Sequence, residues 1–154
     1  LFLRCARRIN EEEYPNIQYE ELIIDAGCMK LVQDPTRFDI ILCENLYGDV
    51  VSDLCAALVG GLGVVPGANI GDDAAVFEAV HGSAPDIAGR NIANPLACIM
   101  SGVMLLNHAH EEAAARRIKD AYNAVLEEGR VRTADLGGTA STSEFADAII
   151  AAMK

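Results

Sequence analysis

Two short apolar runs, each followed by a helical pattern, constrain the fold of this chain most strongly. Residues 17–24 read as a strand, and residues 38–43 form a near-continuous apolar run of the kind that is buried on both faces of a sheet. Helical patterns follow the two runs at 26–33 and 46–59. Because strands that alternate with helices build layered sheets, this order predicts an α/β fold.

Glycine and proline divide the rest of the chain. A glycine-rich stretch begins at Gly60, so we expect a boundary there between a lobe of residues 1–59 and a lobe of residues 60–154. Asn45 is a candidate cap for the helix predicted at 46–59. Asn94 followed by Pro95 is typical of a helix start. The remaining predicted elements are helices over 1–13, 95–108, 111–128 and 143–153, strands over 63–65 and 75–80, and loops over 81–94 and 136–142.

The composition excludes several classes of partner. The formal net charge is −11, so the chain has no field that would attract nucleic acid or anionic lipid. The longest apolar run, at 95–106, is too short and too interrupted to cross a bilayer. An anionic substrate would need a local positive charge, and a divalent metal is the obvious supplier.

The cysteines indicate a reducing compartment. There are five, they lie among apolar residues, and they show no CxxC spacing, which favours free thiols over disulfides or a zinc site. No secretory signal is visible, so we expect a cytoplasmic location. The chain opens on Leu1, without a Met, in a pattern typical of the middle of a helix, which suggests a fragment of a longer protein.

Asp49 and Asp53 are candidate metal ligands. They lie four residues apart on the helix predicted at 46–59, so their side chains share one face. Like charges at this spacing repel, and a cation between them reverses the sign of that interaction. Carboxylate oxygens suit Mg²⁺ or Mn²⁺. Asp25, at the end of the first predicted strand, is a candidate third ligand; the alternative is a solvated helix face.

The segment from His81 to Asn94 is a candidate nucleotide-binding loop. Its glycines let a ligand approach the backbone, and its proline stiffens the loop. The Asp86 carboxylate can accept hydrogen bonds from the ribose hydroxyls of NAD, and it would repel the extra phosphate of NADP. Neither the Rossmann nor the P-loop fingerprint is present, so an ordinary connecting loop with a structural histidine is the alternative.

Four blocks of sequence, read together, go beyond these single motifs. They are residues 45–54 (NLYGDVVSDL), 66–71 (PGANIG), 77–89 (FEAVHGSAPDIAG) and 93–95 (ANP). In order and spacing they resemble the isocitrate/isopropylmalate dehydrogenase family, over essentially the whole chain. The resemblance implies the α/β fold of that family, a layered sheet with helices, present in part because the N-terminal part is missing.

The resemblance assigns roles to the aspartates and to the lobes. It implies that Asp25, Asp49 and Asp53 are the catalytic and metal-binding residues. In this family the aspartate that matches Asp25 reaches the site of the other subunit, so we expect a homodimer with shared active sites. The helices near 28–33 and 46–59 would form much of the dimer contact. Residues 1–59 would be the last part of the small lobe, which carries the dimer contact and the metal site. Residues 60–154 would be the C-terminal half of the large nucleotide-binding lobe.

The loop resembles the adenosine-binding loop of the family, with His81 and Asn94 at the adenine end. Members that use NADP typically carry a basic residue and a tyrosine where this chain has Asp86 and Ile87, so the resemblance implies NAD. The residues that it assigns to the cofactor are His81, Gly82, Ser83, Ala84, Pro85, Asp86, Ile87 and Asn94.

The implied reaction is oxidative β-decarboxylation of a small hydroxy acid, with NAD as hydride acceptor and Mg²⁺ or Mn²⁺ polarising the substrate hydroxyl. Blocks 45–47 and 66–71 are closer to isocitrate enzymes, and isopropylmalate and homoisocitrate are the alternatives. Two other hypotheses stay open, a truncated product without function and a non-catalytic regulatory subunit. The arginines, tyrosine and lysine of the family's active site have no counterpart here, so we expect this chain alone to be inactive and prone to aggregation.

Overall fold

The computed structural model describes residues 1–153, and most of its regular structure is helical. The chain divides after Cys55 into two compact units. Among the described helices, none combines the length and the apolar character that a membrane crossing requires. The elements are α1 (Phe2–Glu13), α2 (Ile24–Gln33), α3 (Asn45–Leu58), β1 (Pro66–Ile70), β2 (Ala75–Ala79), α4 (Leu96–His108), α5 (Glu112–Glu128) and α6 (Thr142–Ala152), with short 3₁₀ helices at Pro35–Arg37, Leu62–Val64 and Ala134–Leu136.

The first unit contains several ion pairs and one close packing contact in α2. The guanidinium of Arg7 donates hydrogen bonds to Oε1 of Glu21 at 2.6 and 3.2 Å. These hydrogen bonds lower the pKa of the Glu21 carboxyl below its ordinary value. Gly27 is buried in α2, where an added Cβ would lie 2.9 Å from Cδ2 of Leu22. A side chain at Gly27 would therefore require the Leu22 side chain to move.

Both strands predicted for the first unit are wrong. Residues 17–23 form no ladder, and α2 begins at Ile24, two residues earlier than predicted. Residues 38–43 also form no ladder, and Ile40 is 89% exposed. A strand exists only where a neighbouring strand accepts and donates its backbone hydrogen bonds. The apolar pattern identified segments suited to a sheet, but residues 1–153 supply no strand that pairs with them.

The core of the second unit lies between α4, α5 and α6. Leu96 of α4 is 2% exposed, Tyr122 of α5 is 6% exposed and Phe145 of α6 is 0% exposed. Burial raises the pKa of the Tyr122 hydroxyl. Each large apolar side chain buried here contributes about 1.5–3 kcal/mol, so the three helices form a stable frame. The other buried members are Val103, Ala115, Ala121, Val125 and Ile149.

An antiparallel hairpin of β1 and β2 is tied to α4. The two strands pair along their full length, and Ser101 of α4 donates a hydrogen bond to the carbonyl of Glu78 in β2 at 2.8 Å. The strand predicted at 75–80 is confirmed. The strand predicted at 63–65 is wrong, because a 3₁₀ turn that starts after Gly61, at φ +106°, occupies that segment and β1 begins at Pro66.

The ends of α5 and α6 follow their capping residues. Gly129 follows α5 in the left-handed conformation, and the predicted end of this helix at residue 128 is confirmed. Ser141 precedes α6, and its side chain and that of Glu144 form a capping box, with the Ser141 N–H 2.8 Å from the Glu144 carboxylate. This backbone hydrogen bond and that of the Ser141 hydroxyl lower the pKa of Glu144. The helix predicted at 143–153 is thus confirmed, with a start one residue earlier.

The start of α3 differs from its prediction by one residue. Asn45 was expected to cap the helix but is its first residue. The Gly48 N–H donates to the carbonyl of Glu44 at 2.8 Å, and the Leu46 N–H lies 3.4 Å from the Glu44 carboxylate. Glu44 therefore takes the position expected of Asn45, because its longer side chain folds back onto the first turn.

Candidate functional site

Asp49 and Asp53 lie one turn apart on α3, and both side chains are exposed. The hydroxyl of Ser52 donates a hydrogen bond to the backbone carbonyl of Asp49 at 3.0 Å, and not to the Asp49 carboxylate. Within residues 1–153, neither carboxylate forms an ion pair with a basic side chain. Both carboxylates are therefore available to a ligand from solution.

Asp25 was predicted to lie at the end of a strand. It lies instead in the first turn of α2. The prediction is wrong because the helix starts before this residue. Its Oδ1 accepts a hydrogen bond from the Ala26 N–H at 2.6 Å. The unpaired N–H groups and the dipole of a helix N-terminus favour an acidic side chain here. Asp25 is exposed.

The described residues contain no group of three or more histidine, cysteine or acidic side chains that could hold a metal ion. The expected site takes one of its aspartates from a second subunit, so its assembly stays a prediction. The pair on α3 does fit a divalent cation chemically. Magnesium is usually held by one or two carboxylates and keeps water or substrate at its other positions.

The loop that starts at His81 is positioned by the hairpin and α4, all within the second unit. The Val80 N–H donates to the carbonyl of Val65 at 3.3 Å, so backbone contact continues to the residue before the loop. The ring of Phe77 in β2 lies against the ring of His108 in α4, with centroids 5.4 Å apart. These contacts fix the point at which the loop leaves the hairpin. His81 is exposed, and its Nδ1 lies 3.1 Å from the carbonyl oxygen of Gly82.

A strained turn forms the middle of the loop. Ala84 has φ +41°, a region that residues with a side chain rarely adopt, and the Ile87 N–H closes the turn onto its carbonyl at 3.1 Å. Gly89 has φ +76°. An added Cβ at Gly82 or Gly89 would meet nothing within 4 Å, so the backbone on this side is open to a ligand.

The side chains of this turn face solvent. Asp86 is exposed, as are Ser83 and Pro85, and Ile87 is half-buried. Within residues 1–153, Asp86 forms no ion pair with a basic side chain. Its carboxylate can therefore accept hydrogen bonds from a diol such as that of a ribose.

Asn94 joins the end of the loop to the start of α4. It is 8% exposed, its Oδ1 accepts a hydrogen bond from the Leu96 N–H at 2.9 Å, and its Nδ2 donates to Oδ2 of Asp135 at 2.9 Å. Helix α4 begins at Leu96, one residue after the predicted start at Pro95, and Asn94 accepts the hydrogen bond of its first N–H. The hydroxyl of Thr133, which is 0% exposed, donates to the other oxygen of Asp135. An added Cβ at Gly63 would lie 2.8 Å from Asp135, so the cluster is closely packed.

Nothing in the sequence pattern indicated that Asp135 and Thr133 adjoin the loop. Asp135 lies 41 residues after Asn94 and falls near a segment that was predicted to be an ordinary connection. An amide nitrogen carries two hydrogens, and Asp135 accepts one of them, which leaves the second for a ligand.

Comparison with known proteins gives consistent results. Residues 1–149 match the isocitrate/isopropylmalate dehydrogenase family model. The chain is 55% identical to the Arabidopsis thaliana protein named isocitrate dehydrogenase (NAD) catalytic subunit 5, mitochondrial, over 97% of this chain and 40% of that protein. It is 52% identical to a Dictyostelium discoideum protein that is named as a regulatory subunit of mitochondrial isocitrate dehydrogenase (NAD), over 97% of this chain and 42% of that protein. The crystal structure of isocitrate dehydrogenase from Methylococcus capsulatus matches with a TM-score of 0.92 and 50% identity, over 99% of this chain and 45% of that chain.

The chain belongs to the isocitrate/isopropylmalate dehydrogenase family. The family and its partial α/β fold, both expected from the sequence, are confirmed, although residues 1–153 contain only the β1–β2 hairpin of the layered sheet. The chain spans less than half the length of the relatives named above. The names of the plant and slime-mould relatives specify mitochondria, which conflicts with the expected cytoplasmic location.

Proposed function

We propose that the protein to which this chain belongs oxidises and decarboxylates isocitrate to 2-oxoglutarate, with NAD and with Mg²⁺ or Mn²⁺. The observation that carries this proposal is the pair of exposed carboxylates of Asp49 and Asp53 on one face of α3. A bare pair of like charges at this spacing destabilises a helix by roughly 0.2–0.5 kcal/mol. A bound divalent cation would turn this repulsion into attraction, so a metal would stabilise the arrangement.

Asp49 and Asp53 would hold the cation together with Asp25 of a second copy of the chain. When bound, the cation lowers the pKa of the substrate hydroxyl and stabilises the negative charge that develops as carbon dioxide leaves. The aspartates would hold it where the hydroxyl and the adjacent carboxylate of the hydroxy acid could also reach it. Asp25 would reach its position from the first turn of α2, where its backbone is held by the helix.

The loop after β2 would bind the cofactor, which accepts the hydride when bound. Asp86 accepts hydrogen bonds from the ribose hydroxyls, and its charge opposes a phosphate at the same place. Asp135 orients the side-chain amide of Asn94 through one N–H. The second N–H would donate a hydrogen bond to the adenine end of the cofactor, which His81 also contacts. The proposed set is His81, Gly82, Ser83, Ala84, Pro85, Asp86, Ile87 and Asn94.

A double substitution tests the choice of cofactor. Asp86→Lys with Ile87→Tyr replaces a repelling charge by an attracting one, so the ratio of kcat/KM for NAD to that for NADP should fall at least tenfold, about 1.4 kcal/mol. Asp73→Lys, at the exposed turn of the hairpin, makes the same change of charge elsewhere and should leave the ratio unchanged. A double variant that prefers NAD as strongly as the wild type would show that Asp86 does not select the cofactor.

A substrate panel tests the choice of acid. The complete protein should be assayed with isocitrate, homoisocitrate and isopropylmalate, each with NAD and Mg²⁺. Pockets that discriminate by about one methylene reach ratios of roughly 10–200, so isocitrate should lead by at least tenfold in kcat/KM. A preference for isopropylmalate would overturn the substrate assignment and leave the metal and cofactor assignments in place.

Exposed apolar side chains support the proposed homodimer. Met29 and Val32 on α2 are 53% and 55% exposed, and Leu46 and Val50 on α3 are 62% and 50% exposed. Exposed apolar side chains that lie together on a helix are typical of a surface that another subunit covers. Sedimentation equilibrium of the complete protein should give twice the mass of one chain. In the Val50→Glu variant the measured mass should fall towards that of a single chain. A monomeric wild type that turns over substrate would exclude shared sites.

A regulatory subunit of the same fold is the second candidate. The 52% identity to a protein named as a regulatory subunit is the observation in its favour. The presence of Asp25, Asp49 and Asp53 favours the catalytic role, because a purely regulatory chain has no use for a complete metal set. The complete protein, purified without any partner chain, should reduce NAD with isocitrate. Activity that appears only after a second, different chain is added would favour the regulatory role.

A further inference from the structure

The C-terminal half of the loop is joined to the start of α6 by four hydrogen bonds. Nδ2 of Asn91 donates to the Ser143 hydroxyl at 2.6 Å, and the Ser143 N–H donates to Oδ1 of Asn91 at 3.2 Å. The Thr142 N–H donates to the Asn91 carbonyl at 2.9 Å, and the Thr142 hydroxyl donates to the Ala93 carbonyl at 2.6 Å. We refer to these four bonds as the Asn91 clasp. They join residues separated by 49 to 52 positions in the sequence.

The clasp depends on one loop conformation. Asn91 has φ +56°, a left-handed conformation that asparagine tolerates better than most residues. The N–H groups of the first turn of a helix have no partner within the helix. Asn91 satisfies those of Thr142 and Ser143, and the Ser141 capping box satisfies that of Glu144. The first three N–H groups of α6 are thus all used, two of them by the loop.

Little else holds this part of the loop. Ile87 is half-buried and Ile92 is 40% exposed, whereas the other residues between Gly82 and Ala93 are exposed. Few apolar contacts therefore oppose local opening. The clasp lies between Asp86 and the buried Asn94, so it restrains the chain that connects the two proposed contacts of the cofactor.

We propose that Asn91, acting through Ser143 and Thr142, is a positioning residue for the dinucleotide, so that α6 holds the loop in its binding conformation before the ligand arrives. This inference rests on the proposed function of the loop. A loop ordered in advance loses less conformational freedom on binding. Without the clasp only a fraction of the molecules would be competent, and the apparent Kd would rise by the reciprocal of that fraction.

Three substitutions separate the hydrogen bonds from the backbone conformation. Asn91→Gly keeps a positive φ accessible and removes the side-chain bonds. Ser143→Ala removes the hydroxyl and leaves a good helix residue. Asn91→Asp is the conservative replacement, because its carboxylate can accept hydrogen bonds from both the N–H and the hydroxyl of Ser143. His110→Gly is the matched control, since His110 is an exposed residue with φ +61° outside the loop.

The test is NAD binding by calorimetry, together with steady-state kinetics of the complete protein with isocitrate and Mn²⁺. Asn91→Gly should raise the Kd and the KM for NAD about fivefold, which corresponds to a competent fraction of roughly 0.2. The kcat should change less than twofold, and Mn²⁺ affinity should stay constant. Ser143→Ala should act in the same direction. Asn91→Asp and His110→Gly should bind NAD within twofold of the wild type.

The failures of the two proposals are distinguishable. Wild-type affinity for NAD in both Asn91→Gly and Ser143→Ala would overturn the positioning role and leave the proposed function intact. An Asn91→Asp variant as weak as Asn91→Gly would also overturn it, because restored hydrogen bonds should restore binding. If the wild type itself does not bind NAD, both the positioning role and the proposed cofactor are wrong. Should Asn91→Gly fail to fold, Ser143→Ala and Asn91→Asp decide the matter.

Discussion

Removal of the Asn94 side chain should destabilise the second unit by about 2 kcal/mol. Asn94→Ala deletes the hydrogen bond that Oδ1 accepts from the Leu96 N–H, and loss of such a helix cap costs about 1 kcal/mol. It also deletes the hydrogen bond to Asp135, worth about 1 kcal/mol, the value of an ordinary hydrogen bond, because water screens the exposed Asp135. The two losses act on different groups, so they should add.

Thermal unfolding without NAD is the appropriate assay, because bound ligand would stabilise the folded state and obscure the difference. For a unit of about 100 residues, each kcal/mol lowers Tm by about 4–8 °C, so Asn94→Ala should lower the transition of this unit by roughly 10 °C. Asn107→Ala is the control. Asn107 is exposed in the last turn of α4, and its replacement should change stability by less than about 0.5 kcal/mol.

Two results would refute this reasoning. If Asn94→Ala unfolds within about 0.5 kcal/mol of the wild type, the hydrogen bonds of Asn94 contribute nothing and the loop is not anchored there. If Asn107→Ala is equally destabilised, the loss reflects α4 as a whole and not its cap. Both measurements are made on the same transition, so they are directly comparable.

Three further substitutions test the frame of the second unit. Phe145→Ala should cost about 3–5 kcal/mol in denaturant unfolding, because the side chain is 0% exposed, and a loss below about 1 kcal/mol would contradict the assignment of the core. Gly138→Ala should impair folding, seen as lost soluble yield, because the added Cβ would overlap the Arg132 carbonyl. Hydrogen bonds lower the pKa of Glu144 from 4.5, so its stabilisation is present above that pH and is lost as pH falls through the lowered pKa. The stability advantage of the wild type over Glu144→Gln should therefore disappear in acid, and a difference independent of pH would contradict this.

Helices were predictable from the sequence because their signals are local. The apolar spacing of α5 and the Gly129 that ends it lie within one segment, and so do the serine and glutamate that start α6. The strand predicted at 38–43 failed for the opposite reason. Its apolar residues indicate burial, but only a neighbouring strand can supply the ladder, and no local pattern reveals whether one is present.

The candidate site divides in the same way. The shared face of Asp49 and Asp53 follows from helical spacing, and the loop around Asp86 follows from its glycines and proline. The contacts that hold the loop join Asn94 to Asp135 and Asn91 to Ser143, over 41 and 52 residues. Such contacts depend on how α4, α5 and α6 pack together in the core of the second unit, so they could be known only from the three-dimensional structure.

The most direct test of this account is the binding of Mn²⁺ at α3. Isothermal titration of Mn²⁺ into the complete protein, with isocitrate present, should compare the wild type with Asp49→Asn and Asp53→Asn. Asp39→Asn, at an exposed aspartate of the same unit, is the control. We expect each α3 variant to bind Mn²⁺ at least tenfold more weakly, about 1.4 kcal/mol, with the control unchanged. Wild-type affinity in both α3 variants would contradict the proposed metal site and the chemistry that rests on it.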